Sequence, residues 1–209
     1  MVKYMRLTKT QIAILECFMR DPYSQHTINS LARQLKKRYR VVHANVHGLL
    51  DENLVKAKDI GGSKAISLNL NSPILPSCMA YSESLPAYAM IFHTMPQIDG
   101  IIKRCNEIST SYCLGIFGSF ASGKYKKGSD IDFFVLCPTS EVKKFKSVIT
   151  QFPAIEDMID WNVFSFAEFR KGLKEKGLMV YKEVAHNKLI VHGAELFYSF
   201  LSDVGNIEI

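Results

Sequence analysis

Asp130 and Asp132 flank the entry to Ile131–Cys137, a seven-residue run in which Asp132 is the only charged side chain. No other feature constrains the fold as tightly. A short apolar run preceded by Ser129 and Asp130 and followed by Pro138 predicts a largely buried strand. Side chains at i and i+2 of a strand project to the same side, with Cα atoms roughly 6.5–7 Å apart. Both carboxylates are therefore expected on one face. Two negative charges at the start of an apolar strand are unfavourable unless a cation lies between them, and oxygen-only ligands select Mg²⁺ or Mn²⁺. Taken alone, Asp-Ile-Asp also fits a solvated strand start.

The upstream residues point away from that bland reading. Ser111–Phe117 is a mostly apolar run that predicts a strand leading into Gly118-Ser119. A residue without a β-carbon lets backbone N–H groups approach phosphate oxygens, and a serine hydroxyl donates one more bond. Gly123 and Gly128 let the loop turn. Lys124, Lys126 and Lys127 lie between the turn and the carboxylates, where at least one ammonium balances phosphate charge, and Ser129 is grouped with them as a nucleotide-binding residue. Two metal ions held by the aspartates would clamp an attacking hydroxyl and a leaving pyrophosphate.

The Gly118-Ser119 pair, the nine-residue spacer and Ser129-Asp130-Ile131-Asp132-Phe133 together resemble the DNA polymerase β-like nucleotidyltransferase superfamily, and within it the minimal nucleotidyltransferases. The resemblance implies that the Gly-Ser turn holds nucleotide phosphates and that the paired aspartates hold two metals. It further implies a third carboxylate on a neighbouring strand, and transfer of a nucleoside monophosphate from an NTP to an acceptor. Many members carry arginine in the loop after Gly-Ser, where this chain has Phe120 and Ser122, which leaves the phosphate grip to the lysines. The tail YKEVAHNKLIVHGAELFY is similar to the closing segment of small prokaryotic members.

Met158–Phe164 is the next strand-like run, and Asp160 is its natural third ligand, with Glu156 and Asp157 as competitors just before it. Helices are expected over Ala87–Ile108, Glu141–Thr150, Phe166–Lys176, Leu178–Asn187 and Ala194–Leu201, with a short strand at Lys188–His192. That order predicts an α/β nucleotidyltransferase fold in which helices cover one side of a small mixed sheet.

The first seventy residues predict a separate unit. Helical spacing marks Leu7–Met19, Ile28–Leu35 capped by Thr27, and Arg40–Glu52; Leu54–Lys58 and Ala65–Leu70 then form a hairpin with glycines at its tip. Three helices followed by such a hairpin look like a winged helix-turn-helix, mostly α with a β wing. Arg38, Arg40, His43, His47 and Lys64 are its expected DNA contacts, to phosphates or base edges of duplex DNA. Winged helices also serve in docking to a protein partner or in homodimers, with the basic residues as a solvated face. Asn71–Ser84, rich in proline and serine, is expected as a connector, giving domains at 1–70 and 86–209 around a linker at 71–85.

A net charge of +6 favours an acidic partner without choosing among DNA, RNA and nucleotide. Five scattered cysteines lack zinc-site spacing, and His186 and His192 are expected as core or surface residues rather than ligands. Without a membrane-length apolar run or a signal-peptide core, the chain is expected to be cytoplasmic. The leading expectation is a Mg²⁺-dependent nucleotidyltransferase. Its rivals are a DNA-binding regulator that senses nucleotide without turnover and an antitoxin-like partner of a toxin.

Overall fold

The computed structural model describes residues 6–126, 128–175 and 179–204. In the N-terminal part, Thr8 caps α1 (Lys9–Glu16) through a reciprocal bond with Gln11, and Thr27 caps α2 (Ile28–Gln34) by accepting from the Ser30 N–H. Helix α3 (Tyr39–Asp51) buries Val42, Val46 and Leu49, one face at helical spacing. A two-residue strand, β1 (His26–Thr27), pairs with β3 (Ser63–Leu68), which pairs in turn with β2 (Val55–Ile60). Ile60 lies opposite Ser63, and Gly61 and Gly62 between them both have positive φ. A two-residue hairpin loop of type I′ needs that conformation at both positions.

Residues 71–85 do not behave as a connector. From Leu75 onward they belong to α4 (Leu75–Thr94), a twenty-residue helix that begins with a proline in its first turn and contains Pro86. Proline is tolerated in a first turn because the missing N–H would have had no intrahelical partner. Its presence therefore marks a helix start. The single helix expected over Ala87–Ile108 is instead the end of α4 followed by α5 (Ile98–Ile108), with the break at Met95-Pro96.

The second sheet contains β4 (Cys113–Phe117), β5 (Ile131–Cys137), β6 (Ile159–Ser165) and β7 (Lys188–His192) in the order β6-β5-β4-β7. Only β5 and β6 run parallel; the other two pairings are antiparallel. Between β4 and β5 lies a one-turn helix, α6 (Gly118–Ser122), and after β5 come α7 (Val142–Lys146), α8 (Phe166–Lys174), α9 (Met179–His186) and α10 (Ala194–Val204). The segment expected as one helix over Glu141–Thr150 is α7 flanked by two short 3₁₀ turns.

Both faces of the sheet are covered, not one. Ile131, Phe133 and Val135 pack with Ile98, Ile101, Phe145 and Val148 on one side. On the other, Phe134 and Leu136 join a core that continues through Phe197 and Val184 to Ile14, Leu31 and Val46 of the N-terminal helices. The two halves thus share apolar interior. Residues of α4 contribute to both cores, Leu75 and Met79 to one and Ala87 and Ile91 to the other. Burial holds the Cys105 and Cys137 thiols up at about 12, so both are inert protonated groups.

A charged cluster is set inside this interior. Lys188 and Glu83 are both fully buried, and the ammonium donates to both Glu83 carboxylate oxygens at 2.9 Å and to the Tyr198 oxygen at 2.7 Å. Tyr198 in turn donates to Glu83 Oε2 at 2.5 Å, and the Ile190 N–H donates to Oε1 at 2.8 Å. Burial pulls the Lys188 pKa down, while the Glu83 carboxylate opposes that shift. Helix α4, strand β7 and helix α10 are joined by this one knot. Replacing Glu83 by alanine leaves a buried ammonium without its counter-charge, a loss of about 3–5 kcal/mol. Urea unfolding followed by the fluorescence of Trp161, the sole tryptophan, would measure it.

Candidate active site

Strand β4 delivers the chain to Gly118, whose φ is +66°. A β-carbon there would be strained by conformation and would also lie 2.5 Å from Asp132 Oδ2 and 3.7 Å from Glu183 Oε1. Glycine is thus required on two counts. The loop is fixed by its own backbone: Lys124 N–H donates to the Ser119 carbonyl at 2.9 Å, Ser122 Oγ donates to the same oxygen at 3.0 Å, and Gly123 ends α6 with positive φ. From the far side, Asn187 Nδ2 donates to the Gly118 carbonyl at 3.0 Å. Phe120 is buried and stacks on Tyr125 with ring centroids 4.2 Å apart.

Asp132 is the second residue of β5, and the parallel register sets it directly opposite Asp160 of β6. Neighbouring strands are about 4.8 Å apart, so residues in register share a face. Burial raises the Asp132 pKa above the ordinary carboxylate value, and the nearby charges of Asp160, Glu183 and Asp130 raise it further. Asp130 precedes β5 and is exposed, so strand alternation does not aim it. Glu156 and Asp157 are exposed in a 3₁₀ turn one step before β6.

Among the described residues, no three His, Cys, Asp or Glu side chains are gathered closely enough to hold an ion. Asp132 senses the other three acids, but the four do not form a tight cluster. Their chemistry nonetheless suits a hard divalent cation, since every donor is a carboxylate oxygen and Asp132 carries a charge that burial disfavours.

Other expected residues are placed less directly. Ser129 uses its hydroxyl to accept the Lys126 N–H at 3.1 Å, which closes the loop. Lys124 is exposed at the loop's start, and Lys127 lies outside the described residues. Glu183 was missed. It sits on α9 four residues before Asn187, and that spacing puts both on one face of the chain entering β7. An acid and an amide at i and i+4 before an apolar strand were the available signal.

In the N-terminal part, His43 and His47 lie side by side along α3 with ring centroids 4.4 Å apart and planes tilted by 40°, and the Tyr39 ring centroid lies 5.7 Å from that of His43. With Asn29 and Lys64 they line a groove of about 290 Å³ between α3 and the β2–β3 hairpin. Arg38 instead borders an adjacent hollow with Arg33, Lys36 and Lys37, and Arg40 is exposed.

Residues 98–192 match the family model described as a nucleotidyltransferase domain. The match runs from the first residue of α5 to the last of β7 and so takes in the whole four-stranded sheet. No curated protein and no solved structure matches the chain. Among the described residues, no helix is long and apolar enough to cross a membrane.

A pH-dependent test follows from Asp132. Because its pKa is raised in the folded chain, the folded state holds the proton more tightly than the unfolded state does. Stability is therefore lost as pH rises past the unfolded carboxylate value of about 4. In chelator-treated buffer, Asp132→Asn should melt at a higher temperature than wild type at pH 7. At pH 3 the difference should vanish.

Proposed function

We propose that the chain is a Mg²⁺- or Mn²⁺-dependent nucleotidyltransferase that moves a nucleoside monophosphate from an NTP to an acceptor hydroxyl. The observation that carries this reading is the juxtaposition of Asp132 with Asp160 across parallel strands, with the Asp132 carboxylate set against left-handed Gly118. Phosphates would lie along the Gly118-Ser119 turn, met by backbone N–H groups, the Ser119 hydroxyl and Lys124. Asp130, Asp132 and Asp160 would hold the metal. When bound, the metal neutralises phosphate charge and lowers the pKa of the acceptor hydroxyl. The acceptor oxygen then bonds to the α-phosphorus and the bond to the bridging oxygen breaks. Pyrophosphate leaves with the electron pair, while the hydroxyl proton passes to Asp160.

The N-terminal part reads as a winged helix that contacts duplex DNA. The groove between α3 and the hairpin is edged by His43, His47 and Lys64, with Arg38 and Arg40 beside it for phosphates. This arrangement supports DNA as the substrate-positioning partner.

Incubation with α-labelled NTPs and Mg²⁺, offering protein, tRNA, DNA and small hydroxyl compounds, should label one acceptor class and release pyrophosphate. Asp132→Ala should reduce labelling by at least about 100-fold, as expected when metal stabilisation worth several kcal/mol is removed. Equal labelling by the variant would overturn the assignment. On duplex DNA, Arg40→Ala should weaken binding across sequences and reduce the slope of log affinity against log salt by about 0.9.

A further inference from the structure

Arg20 belongs to the N-terminal part, just beyond α1, yet its contacts lie in the other half of the chain. Its carbonyl accepts the Lys188 N–H at 3.1 Å, and Lys188 pairs with Phe117, the residue before Gly118. Its guanidinium Nη1 donates to the Ser122 carbonyl at 3.1 Å, and Nη2 lies 4.0 Å from where a β-carbon on Gly123 would sit. The next residue reinforces this placement, because Asp21 Oδ1 accepts from the Tyr23 N–H at 2.9 Å and pairs with His186 Nδ1 at 2.8 Å. Three segments therefore meet at the Gly118–Gly123 loop: Arg20-Asp21, His186–Lys188 and the loop itself.

A guanidinium carries five N–H donors. Among the described residues, Arg20 commits one to Ser122 and forms no ion pair, and its side chain is exposed. The segment from Gly118 to Asp132 contains three lysines and no arginine. A forked, planar donor suits phosphate oxygens better than an ammonium does, since it can bond two oxygens at once. Here such a donor is anchored by its own backbone and by one hydrogen bond, which lowers the entropy lost on binding.

We propose that Arg20 is a phosphate-binding residue that the N-terminal part contributes to the nucleotide site. The proposal rests on the nucleotidyl-transfer reading and deepens it. The catalytic sheet supplies carboxylates and the glycine turn, and the unit ahead of it supplies the arginine that grips the triphosphate.

The test is equilibrium binding of the full chain in Mg²⁺ buffer to the four NTPs and the four matching monophosphates. Wild type is compared with Arg20→Gln, which keeps a donor for the Ser122 carbonyl without the charge, and with Arg20→Lys. Unchanged melting temperatures check that both variants fold. Wild type should bind at least one NTP more tightly than its monophosphate. Arg20→Gln should weaken the triphosphate roughly tenfold or more, as expected for loss of a charge-assisted bond, and should weaken the monophosphate less than about twofold. Arg20→Lys should recover part of the loss. Triphosphate affinity equal to wild type in Arg20→Gln would overturn the proposal alone. So would an equal loss for both ligands, which would make Arg20 a brace for the loop. Absence of NTP binding by wild type would overturn the nucleotidyl-transfer reading as well.

Discussion

The parallel pairing of β5 with β6 is the constraint on which the candidate site depends. Every other pairing in that sheet is antiparallel, and an antiparallel neighbour could have been joined by a short turn. A parallel one requires a crossover, here the segment containing α7 and its flanking 3₁₀ turns. That crossover covers the face bearing Phe133 and Val135, so the opposite face is left to Asp132 and Asp160 in register. The same face receives Gly118 from β4 and Glu183 from α9. Four separate segments thus converge because one strand returns in the same direction as its predecessor.

Much of this was legible in the sequence, and the reason differs from element to element. Ile131–Cys137 was readable because a run that is apolar except for Asp132, bounded by Asp130 and Pro138, permits little else, and side-chain alternation along Met158–Phe164 then made Asp160 a fair candidate. Thr27 announced its helix through capping chemistry that acts within four residues, whereas Thr8, expected inside the first helix, is that helix's cap. The elements misread were those where a local signal had two meanings. Proline at the head of α4 reads equally as a linker or a first turn, and what decided between them was burial of Met79, Glu83 and Ala87, which depends on partners a hundred residues away. Single-sided cover of the sheet was likewise expected because nothing local states that Phe134 and Leu136 meet the N-terminal helices.

The site was legible where it is contiguous and hidden where it is assembled. Gly118, Ser119, Asp130 and Asp132 fall within one short stretch. Glu183 and Arg20 reach the same loop from opposite ends of the chain, one through an i, i+4 pair on a helix and the other through a backbone bond to Lys188. The Glu183–Asn187 spacing was a weak local signal, whereas the Arg20 contact has no spacing that a linear reading could find. The histidine ladder on α3 is intermediate: four-residue spacing set the rings on one side, but the approach of Lys64 depended on the hairpin folding back.

The buried ammonium of Lys188 has a consequence for where this protein can be divided. Lys188 lies within the stretch 98–192 that carries the family match, whereas its two partners, Glu83 and Tyr198, fall on either side of it. A fragment trimmed to that stretch would keep the strand and discard both oxygens, stranding a cation in hydrocarbon. The stretch that carries the family match and the stretch that satisfies this ammonium therefore have different borders, because the second reaches back to α4 and on to α10.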